Sequence, residues 1–222
     1  MSATPQRALR PKLAGTLILT RKSRRGREVL MGRRSSKHAF MPERYVFPGG
    51  RVDRADHYAP LAGMLRGEDE ECLMRVLGER RGRAAAAAAL RETAEEAGLL
   101  VGSPGQITSR HPNWSPFRTA GLQPDASGLK LIARAITPPG RVRRFDAWFF
   151  HADADACRTQ RISRETDELL DIRWVTAEEA ESLPLPHVTR FVLGELDRRL
   201  SDPGARPRHI RELARRMQID PL

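Results

Sequence analysis

Glu92, Glu95 and Glu96 are the residues of this chain whose type and spacing could do chemistry. They sit in Arg91-Glu92-Thr93-Ala94-Glu95-Glu96-Ala97-Gly98-Leu99. At about 100° per residue, the three carboxylates share one helix face within roughly 100° of arc. Leu90, Ala94 and Ala97 lie opposite, where they can pack into a core. Three carboxylates this close repel one another unless a positive charge intervenes. Taken alone, they fit two readings: a solvated acidic face with Arg91 as local partner, or a site for a hard divalent cation. Mg²⁺ and its like prefer carboxylate oxygens and keep waters that phosphates can replace.

Phe47-Pro48-Gly49-Gly50 precedes this helix in the chain. The combination resembles the Nudix hydrolases, whose signature is G-x5-E-x7-R-E-U-x-E-E-x-G-U, with U apolar. The second half is present as RETAEEAGL, with Thr93 at the first U position. The first half departs from the pattern. A contiguous box needs Glu eight residues before Arg91, and Arg83 stands there. The glycine pair lies about 41 residues before Arg91 rather than about 14, so an insertion of roughly 27 residues splits the box. With FMPERYVFPGGRVD (Phe40 to Asp53) and RRFDAWFF (Arg143 to Phe150), the split box looks like one subgroup, the peroxisomal-type coenzyme A diphosphatases and their bacterial relatives.

The resemblance, which spans about Leu13 to about Leu200, implies a metal-dependent hydrolase. Its substrate would be a nucleoside diphosphate linked to another moiety, a coenzyme A derivative by the subgroup likeness. ADP-ribose, NADH and dinucleoside polyphosphates would use the same box. An RNA 5′-end pyrophosphohydrolase or a non-catalytic nucleotide-binding regulator are the other readings. The implied cofactor is Mg²⁺ or Mn²⁺, held by Glu92, Glu95, Glu96 and the backbone carbonyl of Gly50 or Gly49. The implied catalytic residues are Glu92, Glu96, Arg91 and Glu168. Glu168 and Glu165 are the candidates for general base, with Glu92 a third. In the family, the box glutamate missing at position 83 orients the loop through the arginine, so Arg91 must pair elsewhere, for instance with a residue of the insertion.

Arg33 and Arg34, just ahead of FPGG, could clamp phosphate or be surface arginines. Phe47 is the substrate-stacking candidate, with Phe40, Trp114 and Phe145; aromatics in strands also serve as core. Arg143, Arg144 and Asp146 could brace a hairpin or shape a pocket. His111, His151 and His187 lack zinc spacing, and neither Cys72 nor Cys157 is placed for catalysis.

The elements that must position these groups read as follows. Leu13–Thr20 and Glu28–Gly32 form a hairpin around a basic turn, and Tyr45–Phe47 is a short strand. Residues 84–97 make the strongest helix, capped by Gly98. Glu70–Arg81 has helical spacing within a polar insertion, residues 54–83. Leu129–Thr137 pairs with Phe145–His151. Residues 104–127 are loop-like, with a short helix near Trp114–Leu122. Leu169–Val175 is a strand, and Thr176 with Glu179 caps a helix through Leu183. Residues 187–200 and 207–218 are amphipathic helices. The expectation is an α+β fold, an α/β/α sandwich with a mixed sheet: one Nudix domain over 1–222, with a C-terminal helical extension at 186–222.

Composition sets the outer bounds. The chain has 222 residues and a net charge of +11, with 35 arginines among 39 basic residues. That length buries a core without disulfide staples. Two cysteines and no apolar N-terminal leader point to a reduced, cytoplasmic location, and Asp220-Pro221-Leu222 is not a peroxisomal tripeptide. No apolar run is long enough to span a membrane. Residues 1–47 carry twelve Lys/Arg against Glu28 and Glu43. A field so localised suits a small polyphosphate better than a nucleic-acid surface, which stays as an alternative. A homodimer is left open.

Overall fold

Residues 9–36, 41–159, 168–213 and 216–222 are described in the computed structural model. β1 (Lys12–Ser23) shows why the chain forms layers. Leu17 and Leu19 point into one core, and Ile18 between them points into another. That period of two buries both faces of one strand and demands a cover on each.

β1 turns through Gly26, at φ 98°, into β2 (Gly26–Arg34). Then come β3 (Tyr45–Val46), β4 (Gly49–Arg51), α1 (Glu68–Leu77) and α2 (Glu79–Ala97). A small side hairpin, β5 (Gly102–Pro104) with β6 (Leu122–Pro124), brackets the short α3 (Ser115–Thr119). β7 (Lys130–Ile136), β8 (Phe145–Asp153), β9 (Leu169–Thr176), α4 (Ala177–Ser182) and α5 (His187–Ser201) follow, and β10 (Arg208–Leu213) and β11 (Arg216–Pro221) close the chain. The main sheet runs β11-β10-β7-β8-β1-β2-β3, with β4 on β1 and β9 on β2. β1–β8 and β10–β7 are parallel and the other pairings antiparallel, so the sheet is mixed. α1 and α2 cover one face through Leu73, Leu77 and the alanines; α5 covers the other through Val192 and Leu196. The expected α+β sandwich is present.

The alanine run has a packing reason as well as helix propensity. A Cβ on Gly15 of β1 would stand 2.0 Å from the Ala85 carbonyl oxygen and 2.8 Å from Ala89 N. Helix and strand backbones therefore touch, and only small residues allow it. Gly98 ends α2 in the left-handed conformation (φ 70°, ψ 11°), its N–H donating to Ala94 O. Thr93 fits an apolar position because its hydroxyl donates to Ala89 O at 2.8 Å. Thr176 and Glu179 form the expected capping box of α4.

Two expectations are corrected. The helical spacing over Glu70–Arg81 breaks at Gly78 (φ 75°), which divides α1 from α2, so α2 starts at Glu79 inside the presumed insertion. Where a helix is expected over residues 207–218, the described residues form strands, Arg208–Leu213 and Arg216–Pro221, so among the described residues the C-terminal extension is helical only in α5. β10 and β11 form a hairpin that joins the sheet beside β7. The free edge of β7 offers that segment a ladder of backbone hydrogen bonds, and Ile210 packs against the core under α5. Such tertiary pairing overrides a weak helical pattern.

Candidate active site

The site forms where β1 changes partners. Thr20–Ser23 pair with β2, whereas Ala14–Thr16 pair with β4. β4 carries Gly49 and Gly50 and lies against the last turns of α2. Gly49 N–H donates to Glu96 Oε2 at 2.8 Å. A Cβ on Gly50 would stand 2.3 Å from Glu92 Oε1. Glycine is therefore what lets the strand backbone and two glutamates share one space.

Arg91 ties three segments together. Its Nε and Nη2 donate to Asp56 at 2.9 and 3.0 Å, and Nη2 also reaches Arg51 O at 3.1 Å. Nη1 pairs with Glu92 at 2.8 Å and Glu95 at 2.9 Å. Asp56 Oδ2 further accepts Asp53 N–H at 2.7 Å. The Arg91 and Asp56 side chains are 3% and 0% exposed, so this is a buried, bidentate ion pair. Those bonds and neighbouring carboxylates raise the arginine pKa against the opposing pull of burial.

Asp56 is the residue missed in the sequence, and a signal for it existed. Counting back from Arg91 lands on Arg83. Counting forward from Gly50 through five residues lands on Asp56. The insertion lies after the acidic position, not before it. Farther along the insertion, Leu65, Cys72, Leu73 and Leu77 enter the core beneath α2.

The carboxylates are electrostatically loaded. Burial pushes the Glu92 pKa up to about 7, with Glu95 adding to the rise and Arg91 opposing it. Burial and the Glu92 charge hold Glu96 well above the usual carboxylate range, against the Gly49 N–H bond. Glu95, more exposed, is also raised, chiefly by desolvation against the opposing charge of Arg91. Among the described residues no three His, Cys, Asp or Glu side chains form a ready-made cation cage. Glu92 and Glu95 turn to Arg91, and Glu96 turns to Gly49. The donor set is nonetheless hard oxygen throughout, packed directly against the glycine strand. It fits Mg²⁺ or Mn²⁺ if Glu92 exchanges Arg91 for the cation.

Arg34 and Arg33 part ways. Arg34 is largely buried, its pKa lowered by burial and supported by the charges of Glu96, Glu168 and Glu92. Arg33 pairs with Glu43 at the surface. Glu168, just ahead of β9, acts electrostatically on both Glu92 and Glu96, and its carbonyl accepts Ser35 N–H at 3.1 Å. The structure thus gathers Glu92, Glu95, Glu96, Arg91, Gly50, Arg34 and Glu168, but not Arg33.

Phe47 is a correction. It is 3% exposed and packs edge-on to Phe149 at 6.4 Å, in the core under α5. It fixes β4 from behind and cannot stack on a ligand. Trp114 is likewise buried. Arg144 donates to Thr137 O, and Asp146 takes a bidentate bond from Arg134 at 2.7 and 2.8 Å, so both brace strands. Arg143 is close enough to oppose the Arg34 charge. Phe40 and Glu165 lie outside the described residues.

The NUDIX domain family model matches residues 10–193. Among solved structures, a Nudix hydrolase from Alicyclobacillus acidocaldarius superposes with TM-score 0.65 at 25% identity, covering 87% of this chain and 96% of that one. A MutT protein from Methanosarcina mazei Go1 gives 0.51 at 15%, covering 86% and 97%. The Nudix domain of Shewanella oneidensis NrtR, complexed with ADP-ribose, gives 0.50 at 14%, covering 89% and 94%. No curated protein matches this sequence.

Proposed function

Given that the chain belongs to the Nudix family and is a hydrolase, we propose that it cleaves the pyrophosphate bond of a nucleoside diphosphate linked to another moiety. The observation that carries this reading is the meeting of Glu92 and Glu96 at the Gly49-Gly50 strand, with Arg91 locked behind them by Asp56. Glu92, Glu96 and the Gly50 carbonyl would hold Mg²⁺ or Mn²⁺, with Glu95 beside them. A bound divalent ion there would neutralise phosphate oxygens and acidify a coordinated water.

The chain's own groups have separable tasks. Arg34 binds a phosphate oxygen beside the carboxylates, where an arginine balances charge on either side of the reaction. Glu168 takes the proton of the attacking water, because Glu92 and Glu96 are committed to the cation. Arg91 and Asp56 orient Glu92 and Glu95 without touching substrate. The split box favours a coenzyme A-type substrate, and the domain complexed with ADP-ribose makes that compound the second choice.

The test is incubation of the purified protein with Mg²⁺ or Mn²⁺ and coenzyme A, ADP-ribose, NADH or diadenosine polyphosphates, with products identified by mass. Water added across the P–O–P bond should give two phosphorylated products, one of them a nucleoside 5′-phosphate or 5′-polyphosphate. Glu96→Gln should lower turnover at least about a thousandfold while the protein stays folded. No cleavage of any member with either metal would refute the reading, and full activity of the variant would refute the metal assignment.

A further inference from the structure

β11 is the open end of the sheet: among the described residues it pairs with β10 alone. An edge strand presents unpaired N–H and C=O groups to any strand that can align with them. The two faces of this edge differ. Ile219 sits opposite Ile210, which packs on the side covered by α5, and Met217, two residues from Ile219, shares that face. Gln218 sits opposite Arg211 and Asp220 opposite His209, on the other. Ile210 packs against the core, but Met217 and Ile219 remain 58% and 51% exposed. They form an apolar margin that α5 does not cover.

The strand Arg216-Met217-Gln218-Ile219-Asp220 is complementary to itself when reversed about Gln218. We propose that β11 is the interface of a symmetric homodimer, in which two copies of this chain pair edge to edge and antiparallel. Directly opposed residues of an antiparallel pair share a face. Arg216 then meets the partner's Asp220, Met217 meets the partner's Ile219, and the two Gln218 side chains face each other across the axis. Asp220 is weakly held within its own chain: Arg211 Nη2 donates to it at a long 3.4 Å, and His209 Nε2 stands 3.8 Å away. A slip of the register separates both charge pairs, so the charges pin the alignment. Pro221 has no N–H and ends the ladder. The closed, two-fold contact is the commonest way a single patch binds itself. The interface lies four strand steps from β1, about 19 Å at the usual strand spacing, and leaves the carboxylate site untouched.

Sedimentation velocity of the full chain over the micromolar range tests this. The wild type should dimerise. Arg216→Asp and Asp220→Arg should each weaken self-association about 30-fold, because each places like charges at two symmetric positions. An equimolar mixture of those two variants should form a heterodimer, and the double variant should regain the wild-type dimer. Unchanged hydrolysis and far-UV circular dichroism show that each variant is folded, while the thermal midpoint falls only as far as the lost association requires. A monomeric wild type overturns the proposal, as does a dimer insensitive to the single reversals or a double variant that stays monomeric. A monomer that instead captures a foreign peptide strand also overturns it.

Discussion

Asp56→Asn is the most informative single change. It removes one charge from a pair whose side chains are 3% and 0% exposed, without changing its shape. Asp56 accepts three bonds: Arg91 Nε on Oδ1 at 2.9 Å, and Arg91 Nη2 and Asp53 N–H on Oδ2 at 3.0 and 2.7 Å. An amide placed either way points its NH₂ at one or two of those donors. The cost is that of breaking a buried pair from one side, about 3–5 kcal/mol. For a domain of this size that lowers the thermal midpoint by roughly 6–20 °C. Turnover should fall too, because Arg91 then leans harder on Glu92 and Glu95. Denaturant titration of wild type, Asp56→Asn, Arg83→Glu and the double variant makes the experiment specific. If the acid that matters were the one eight residues before Arg91, Arg83→Glu would rescue Asp56→Asn. The structure requires that it does not. A loss in Asp56→Asn under about 1 kcal/mol, or a rescue, refutes the reasoning.

Three further outcomes are expected. The Glu92 pKa, raised by burial to about 7 from an unfolded value near 4.5, makes the folded carboxyl bind a proton the unfolded chain has released. Stability from this group is therefore full below pH 4.5 and is lost as pH rises to 7, by about 3 kcal/mol. His151, lowered to about 4 by burial, has the opposite slope between pH 4 and 6.5, so the measurement is the difference between wild type and Glu92→Gln across pH. Mg²⁺ should restore the lost stability at pH 8, and a flat difference curve would contradict the pKa assignment. Gly50→Ala displaces only the flexible end of Glu92 and should cut turnover about tenfold or more in a folded protein. Gly15→Ala drives a methyl into the Ala85 backbone and should cost about 1–3 kcal/mol or more in stability; equal effects of the two on unfolding would refute the packing argument. Arg34→Gln should raise KM at least about tenfold, whereas Arg33→Gln stays within about twofold; the reverse order would exchange their roles.

What the sequence determined by itself is local or periodic. Helix spacing put Glu92, Glu95 and Glu96 on one face, Gly98 stopped that helix, and Thr176 with Glu179 started another. The apolar run over Leu13–Thr20 marked a strand paired in a hairpin with Glu28–Gly32, and the structure added that its two faces enter different cores. These outcomes follow from backbone geometry within a few residues, which is why they are legible. What tertiary structure decided are pairings between segments far apart in the chain. Asp56 finds Arg91 across 35 positions because the 3₁₀ turn Arg54–Tyr58 and the last turns of α2 converge beside β4, and counting from one end of a split motif misplaces it. Phe47 reads as a substrate-binding residue with core as the competing reading, and the layer shared with Phe149, Val192 and Leu196 buries it. Arg33 and Arg34 are adjacent, yet one meets Glu43 and the other the carboxylates, a choice set by strand orientation. Residues 208–213, expected as helix, became a strand because an open edge on β7 met them, and β11 then paired with that strand. The sequence thus supplied the charges and their local order, and the sheet decided which of them share a dry space, where burial gives those charges their energy.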